Sequence, residues 1–359
     1  MKAIIKLPLW TLVTPIIAWI LYYIKSFQDG IFIEIALALA LIGAVLSAVH
    51  HAEVIAHRVG EPLGTLVLAI AITVIEVSLI VSLMLAGGPE TAALARDTVF
   101  AAIMIILTGI IGLCLMVGGY RHKEQRFDIY GVSAALVTLT AISILTLILP
   151  NYTTSAPGPV YNTSQLIFVA IISLVLYGTF VMVQTVRHRD YFLPAGEDGK
   201  GEHVAPPSNS VTLLSLILLL VCLLAVVLLA KILAPSIEQG VVNLGAPKSL
   251  VGVIVAFVIL LPEGLAALRA AKRNRLQISL NLALGSALAS IGLTIPAVAI
   301  MSFYTGLTIT LGIDTKSTLL LILSLFTVTL SFGTGRTTIM QGVVLLVLFA
   351  VYLFTTIIP

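Results

Sequence analysis

Two glutamates stand where this sequence tolerates charge least. Glu76 lies near the middle of the apolar run Ala69-Ile-Ala-Ile-Thr-Val-Ile-Glu-Val-Ser-Leu-Ile80. Glu263 lies 187 positions later, in Ile254-Val-Ala-Phe-Val-Ile-Leu-Leu-Pro-Glu-Gly264. Of the 16 acidic residues, these are the two that fall deep within an apolar stretch. Glu34 falls near the edge of one, and Glu53, Glu61 and Asp97 fall in connections or at stretch ends. A carboxylate at the centre of a membrane-spanning helix costs about 2.5–3.5 kcal/mol on insertion scales, so it marks function by default. No Lys or Arg stands mid-run to neutralise the pair. Two facing carboxylates without a basic partner call for protons or a metal cation. Desolvation and like charge both favour the protonated form, and a hard cation such as Ca2+ prefers oxygen ligands. One pair that holds either protons or a cation has the minimum chemistry for exchanging them.

Other oxygens stand within reach of these glutamates along the chain. Thr73 precedes Glu76 by one turn and offers a hydroxyl. Pro262 and Gly264 flank Glu263. Proline removes a backbone donor and disturbs the carbonyl one turn earlier. The sequence therefore predicts a break at Glu263 and a freed carbonyl at Val258 or Ile259, with a simple packing kink as the equal alternative. Ser286 is the best further hydroxyl, followed by Ser290 and the amide of Asn281, all on the stretch after Glu263. His50, His51, Glu53, His57 and Glu61 cluster at another stretch end, and His50, Glu53 and His57 share a helix face. The cluster reads either as a pH-sensing entrance or, the reading favoured here, as a polar helix end at the headgroups. Cys114 and Cys222 sit inside apolar runs and read as small packing residues.

The elements that position these residues are membrane spans. The 359 residues are 59% hydrophobic and only 10% charged, against roughly 25% charged in soluble domains. Eleven apolar stretches are long enough to cross a bilayer, at about 7–24, 31–49, 64–86, 98–119, 130–149, 165–186, 211–233, 249–271, 276–301, 317–334 and 338–358. The first resembles a signal peptide, with Lys2 and Lys6 before its apolar run, but it lacks a small-x-small cleavage pattern and is kept as a span. On this count 14 of the 19 Lys and Arg fall on the side of the N-terminus and 5 on the other. Such a bias predicts a cytoplasmic N-terminus and a C-terminus outside.

The fold expected is an all-α polytopic membrane protein of eleven transmembrane helices. An extra N-terminal helix (1–30) precedes a five-helix repeat (31–186), a Pro- and Gly-rich cytoplasmic linker (187–210) and a second five-helix repeat (211–359). Five spans per repeat is odd, so the repeats are inverted, a recurring transporter plan with its site near the midplane. Gly60-Glu-Pro62 before Glu76 and Gly245-Ala-Pro247 before Glu263 are weak traces of the repeat. No His-Glu-x-x-His and no phosphate-binding Gly-x-x-x-x-Gly-Lys-Ser/Thr is present, and Gly333-Thr-Gly-Arg-Thr337 is only a superficial likeness. An intramembrane hydrolase would want mid-span Asp residues or an intramembrane metal motif. A passive channel would conduct without proton coupling, and a scaffold would tolerate neutral replacements of both glutamates. The reading is therefore no enzyme, no cofactor, no nucleic-acid partner and transport driven by an ion gradient.

The stretch Pro262-Glu-Gly-Leu-Ala-Ala-Leu-Arg-Ala-Ala-Lys-Arg-Asn-Arg-Leu-Gln-Ile-Ser-Leu-Asn-Leu-Ala-Leu-Gly-Ser286 resembles the second signature region of the Ca2+/H+ exchanger family, a branch of the cation/Ca2+ exchanger superfamily. Glu263, Asn274, Gly285 and Ser286 fall in its register. His51-Ala-Glu-Val-Ile-Ala-His-Arg-Val-Gly-Glu-Pro62 and Gly333-Thr-Gly-Arg-Thr-Thr-Ile-Met-Gln-Gly342 look closer to the bacterial ChaA-like calcium/sodium–proton antiporters. The resemblance implies the eleven helices, the inverted repeats, alternating access, and Glu76 and Glu263 as ligands for cation and proton. The family writes Gly-Asn-x-x-Glu at both glutamates, whereas this chain has Ile72-Thr-Val-Ile-Glu76 and Ile259-Leu-Leu-Pro-Glu263. With fewer polar ligands beside the pair, Na+ and K+ join Ca2+ as candidate cargo.

Overall fold

The computed structural model describes residues 7–25, 30–60, 63–193, 207–243 and 245–358, which are almost wholly helical. Lys2 and Lys6, the Glu61-Pro62 pair and residues 194–206 of the predicted linker lie outside the described residues. The helices in chain order are α1 (Leu9–Lys25), α2 (Ile31–Val59), α3 (Leu63–Gly87), α4 (Leu94–Met104), α5 (Ile111–His122), α6 (Ile129–Ser143), α7 (Thr163–Met182), α8 (Asn209–Asn243), α9 (Ser249–Lys272), α10 (Leu276–Thr305), α11 (Thr315–Phe332) and α12 (Ile339–Ile357). A π-helical turn, Ile105–Ile110, joins α4 to α5 in one membrane-length rod. Ten helical segments among the described residues are long and apolar enough to cross a bilayer. The eleventh, α1, is apolar but shorter, at 17 residues.

The expected spans and the helices coincide closely, with two differences in length. Helix α2 runs ten residues past the expected end at 49, to Val59. Ala, Val and His continue it in sequence, and Gly60 stops it with a positive φ of 78°, a conformation that favours glycine. Helix α8 likewise runs on to Asn243, through Pro235. The sequence also gave no hint of two three-residue strands. β1 (Glu124–Arg126) pairs antiparallel with β2 (Arg336–Thr338), Gln125 opposite Thr337.

Contacts divide the chain into two compact units, each assembled from two separate stretches of the sequence. The first holds α1, α2, α3 and α8; the second holds α4–α7 and α9–α12 with both strands.

In the first unit a proline sets the main polar tie. Pro15 has no N–H to give the carbonyl four residues back, that of Thr11. In the low-dielectric interior that carbonyl needs another donor. Ser47 of α2 supplies it, Oγ to Thr11 O at 2.8 Å. The His51 ring nitrogen Nε2 lies 3.3 Å from the same oxygen, so Nε2 carries the donated proton. The Cys222 thiol of α8 in turn donates to Ser47 Oγ at 3.4 Å. Three helices thus meet at one carbonyl. Cys222, like Cys114 in the second unit, is a buried free thiol.

The second unit packs through small residues, as expected where lipid offers no hydrophobic drive between helices. A Cβ at Gly342 of α12 would fall 2.3 Å from the Met116 backbone nitrogen of α5, so only glycine permits that approach. Polar ties close both ends of the unit. At one end Leu311 N and Gly312 N donate to Pro159 O, and Asn151 Nδ2 donates to Ile313 O at 2.6 Å. The nearby Tyr161 hydroxyl donates to Leu145 O. Burial pushes that hydroxyl's pKa up to about 12, which keeps it a donor. At the other end Gln125 Nε2 reaches Ala271 O and Asn274 Oδ1, both at 3.0 Å, and Asp128 N donates to Gln277 Oε1 at 2.7 Å.

Candidate functional site

Within the first unit, Glu76 is 4% exposed and Thr73 5%. Both lie on the buried stripe of α3 with Ile80 and Leu83, while Ile70, Val74 and Leu85 are exposed. The 3.6-residue period explains the sorting: positions three and four apart share a face, and this face turns towards α2 and α8. The Thr73 hydroxyl donates to Ala69 O at 2.9 Å. Its proton points back along the helix, which leaves the oxygen lone pairs for a cation.

Within the second unit, both carboxylate oxygens of Glu263 are shielded from solvent. The expected break is absent, because α9 is continuous from Ser249 to Lys272 through Pro262. The helix is closely packed on either side of the missing bond. A Cβ at Gly252 would fall 2.9 Å from the Asp97 carbonyl carbon, and one at Gly264 would fall 3.2 Å from Ile110 Cδ1. At the last turn Gln125 holds Ala271 O, and His122 Nε2 lies 3.0 Å from Lys272 O. The helix carrying Glu263 is therefore seated at three levels. Because Pro262 lacks an N–H, the carbonyl it leaves without its usual donor is that of Val258.

A three-residue turn, 273–275, folds α10 back beside α9. Glu263 lies nine residues before the last residue of α9, and Ser286 ten residues after the first of α10. At 1.5 Å per residue both sit about 14–15 Å from the turn. Ser286 is half-buried, and a Cβ on the neighbouring Gly285 would meet nothing within 4 Å. That glycine leaves room beside the hydroxyl. Ser290 is 3% exposed, one turn further in. Asn281 is engaged elsewhere: its Nδ2 donates to Phe192 O at 2.6 Å and its Oδ1 accepts from Gln277 Nε2 at 3.0 Å. It ties α10 to the chain end of α7.

The histidine cluster does not form one surface. His57 and Glu53 are exposed, His50 is half-buried with Nδ1 3.9 Å from Glu53, and His51 is fully buried against Thr11. In the second unit, at the end away from Gln125, lies a cavity of about 280 Å³ lined by Arg96, Asp97, Asp314, Lys316 and Tyr352 among others. Each of its charged side chains has a bonding partner: Arg96 Nε donates to Asp97 Oδ1 at 2.8 Å, Asp314 accepts from Ser317 N, and Lys316 Nζ donates to Thr355 O. Among the described residues no three His, Cys, Asp or Glu side chains cluster in a metal-holding group. A cation here would be held by carboxylate, hydroxyl and carbonyl oxygens. Sequence reasoning passed over Gln125, Gln277 and the π-helical turn. The Arg273-Asn274-Arg275 turn was the available signal, since Asn readily adopts the positive φ, 58°, found there.

Two stretches, residues 29–186 and 214–358, match the family described as "Sodium/calcium exchanger protein". A candidate ionic transporter of Sinorhizobium fredii, y4hA, is 46% identical over 98% of this chain and 97% of its own length. The sodium-potassium/proton antiporter ChaA of Escherichia coli is 36% identical over 96% of this chain and 95% of its own. A crystal structure of the H+/Ca2+ exchanger CAX superposes with a TM-score of 0.72 at 16% identity, covering 96% of this chain and 87% of that one. At that identity the likeness is one of fold.

Proposed function

The chain belongs to the sodium/calcium exchanger family, and on that premise we propose that it is a secondary cation/proton antiporter that exports Ca2+ in exchange for H+. Na+ and K+ are further cargo, and a relative named as a sodium-potassium/proton antiporter supports that breadth. Glu76 and Glu263 bind cation and proton by turns. Thr73 and Ser286 add hydroxyl oxygens, Ser290 is a further candidate, and Asn281 acts through the position of α10. The observation that carries the reading is one buried carboxylate in each of two stretches that match the same family. The double match also supports inverted repeats at 31–186 and 211–359 around an extra first helix.

The cycle follows from competition. A carboxylate that holds a cation cannot hold a proton, so protons entering down their gradient displace the cation, and the emptied site returns protonated. Alternating access exposes the site to one side at a time. We place the protein in a bacterial inner membrane with its N-terminus cytoplasmic and C-terminus outside. Nothing in this scheme needs a bound cofactor, a covalent step or a nucleic-acid partner.

The test is cation uptake by inverted vesicles under an imposed pH gradient. Wild type should exchange Ca2+ for H+, with Na+ and K+ as competitors. Glu76→Gln and Glu263→Gln should each abolish exchange while the protein still inserts. Acidification should raise the apparent KM for the cation, by up to about tenfold per pH unit for one competing proton. Exchange at the wild-type rate in either variant would refute the mechanism. Na+ or K+ exchange with no Ca2+ component would leave the same site with a narrower cargo.

A further inference from the structure

The two ends of the second unit differ sharply in charge. The polar ties at the Gln125 end bring four connections together: 121–128, 187–193, 269–275 and 333–338. Those connections carry ten Lys and Arg against three carboxylates, Glu124, Asp128 and Asp190. The connections at the opposite end carry three Lys and Arg against three carboxylates. Of the three acids at the basic end, Glu124 is shared by Arg126 at 3.4 Å and Arg336 at 3.6 Å, and Asp128 caps α6 by accepting from Tyr130 N. Lys123, Lys272 and Arg273 are exposed on the same frame.

A cytoplasmic bias of Lys and Arg sets topology by charge alone and needs no fixed geometry. Here the geometry is fixed. β1 and β2 pair across two connections, Gln125 bonds the third at Ala271 and Asn274, and Gln277 reaches Tyr191 O in the fourth. The cations project from connections whose backbones are tied to one another, so an anion that joins them pays little to order the loops. Tyr120, 83% exposed, and Tyr130, 68% exposed, stand beside them. Exposed tyrosines at the ends of apolar helices mark headgroup level.

We propose that this end of the unit is a docking surface for anionic phospholipid headgroups, with Lys123, Lys272 and Arg273 as phosphate-binding groups. The inference stands apart from the transport reading, because it concerns lipid binding and would hold for any activity of the chain.

The experiment uses the full chain purified in mild detergent, with bound phosphatidylglycerol and phosphatidylcholine counted by native mass spectrometry during a lipid titration. Wild type should retain phosphatidylglycerol in preference. Lys123→Gln with Arg273→Gln should weaken that retention by about fivefold per charge removed. Lys231→Gln with Lys248→Gln removes the same charge elsewhere and should change nothing. All four side chains are exposed, so a matched thermal unfolding curve serves as the folding control. Equal retention of the two lipids, or equal loss in the two double variants, would overturn the proposal. So would displacement of phosphatidylglycerol by millimolar inorganic phosphate, which would make this a site for a soluble anion.

Discussion

Thr73 is the residue at which a chemical choice is most open to test. Its hydroxyl has already donated to Ala69 O, so towards a ligand it can act only as an acceptor. That suits a metal cation and does not suit an anion. Thr73→Val keeps the shape and the branched Cβ but removes the oxygen. It should raise the apparent KM for the transported cation on the order of tenfold, in line with one lost interaction to a charged group, and leave the saturated rate close to wild type. Thr73→Ser restores the oxygen and should restore affinity. Vesicle uptake over a range of cation concentrations separates KM from rate. An unchanged KM in Thr73→Val would remove Thr73 from the ligand set. Ser286 is the matching candidate in the second unit, and the space beside Gly285 is what distinguishes it from Asn281, whose amide is already bonded to Phe192 and Gln277.

Among the elements, α9 shows what a sequence conveys and what it withholds. Its span was legible because an apolar stretch of that length has few alternatives to a helix in a membrane. Its continuity was not legible. Pro262 reads as a break in isolation, yet the helix runs on through it, closely packed at Gly252 and Gly264 and bonded at Ala271. The Thr11 carbonyl carries the same lesson, since the partners that satisfy it, Ser47 and His51, come from another helix. β1 and β2 were invisible for a further reason: three polar residues have no period, and their partner strand lies far along the chain. Gln125 concentrates this hidden structure. It is 2% exposed and bonds the last turn of α9. Gln125→Leu removes both of its donated bonds and leaves Ala271 O buried without that donor. It should cost about 1–3 kcal/mol, seen as a lowered thermal unfolding midpoint in detergent, whereas exposed Arg126→Gln should stay within about 0.5 kcal/mol of wild type. If Gln125→Leu unfolds with wild type, the clasp contributes nothing to holding the unit.

At the scale of the whole molecule, orientation is the property most open to a direct test. Counting Lys and Arg along the chain needs a correct span count, because one missed helix inverts every later loop. The second unit offers a count free of that assumption. Hydrogen bonds gather its connections into two ends, and one end carries ten Lys and Arg while the other carries three. Positive charge is retained on the cytoplasmic side, so the Gln125 end should face the cytoplasm and the Lys248 end the outside. Were α1 to cross along with the ten longer segments, the termini would lie on opposite sides, as the proposed inverted repeats after one extra helix require. Single cysteines decide it. The native thiols Cys114 and Cys222 are buried, so they should stay silent towards a charged maleimide. Lys248→Cys should then be labelled by membrane-impermeant maleimide on intact cells. Lys123→Cys should be labelled only after the membrane is opened. Labelling of both on intact cells would mean that the connections at the two ends of the second unit reach the same side, which is incompatible with the span count. The reverse pattern would invert the orientation, while the direction of exchange would still follow from the two ion gradients.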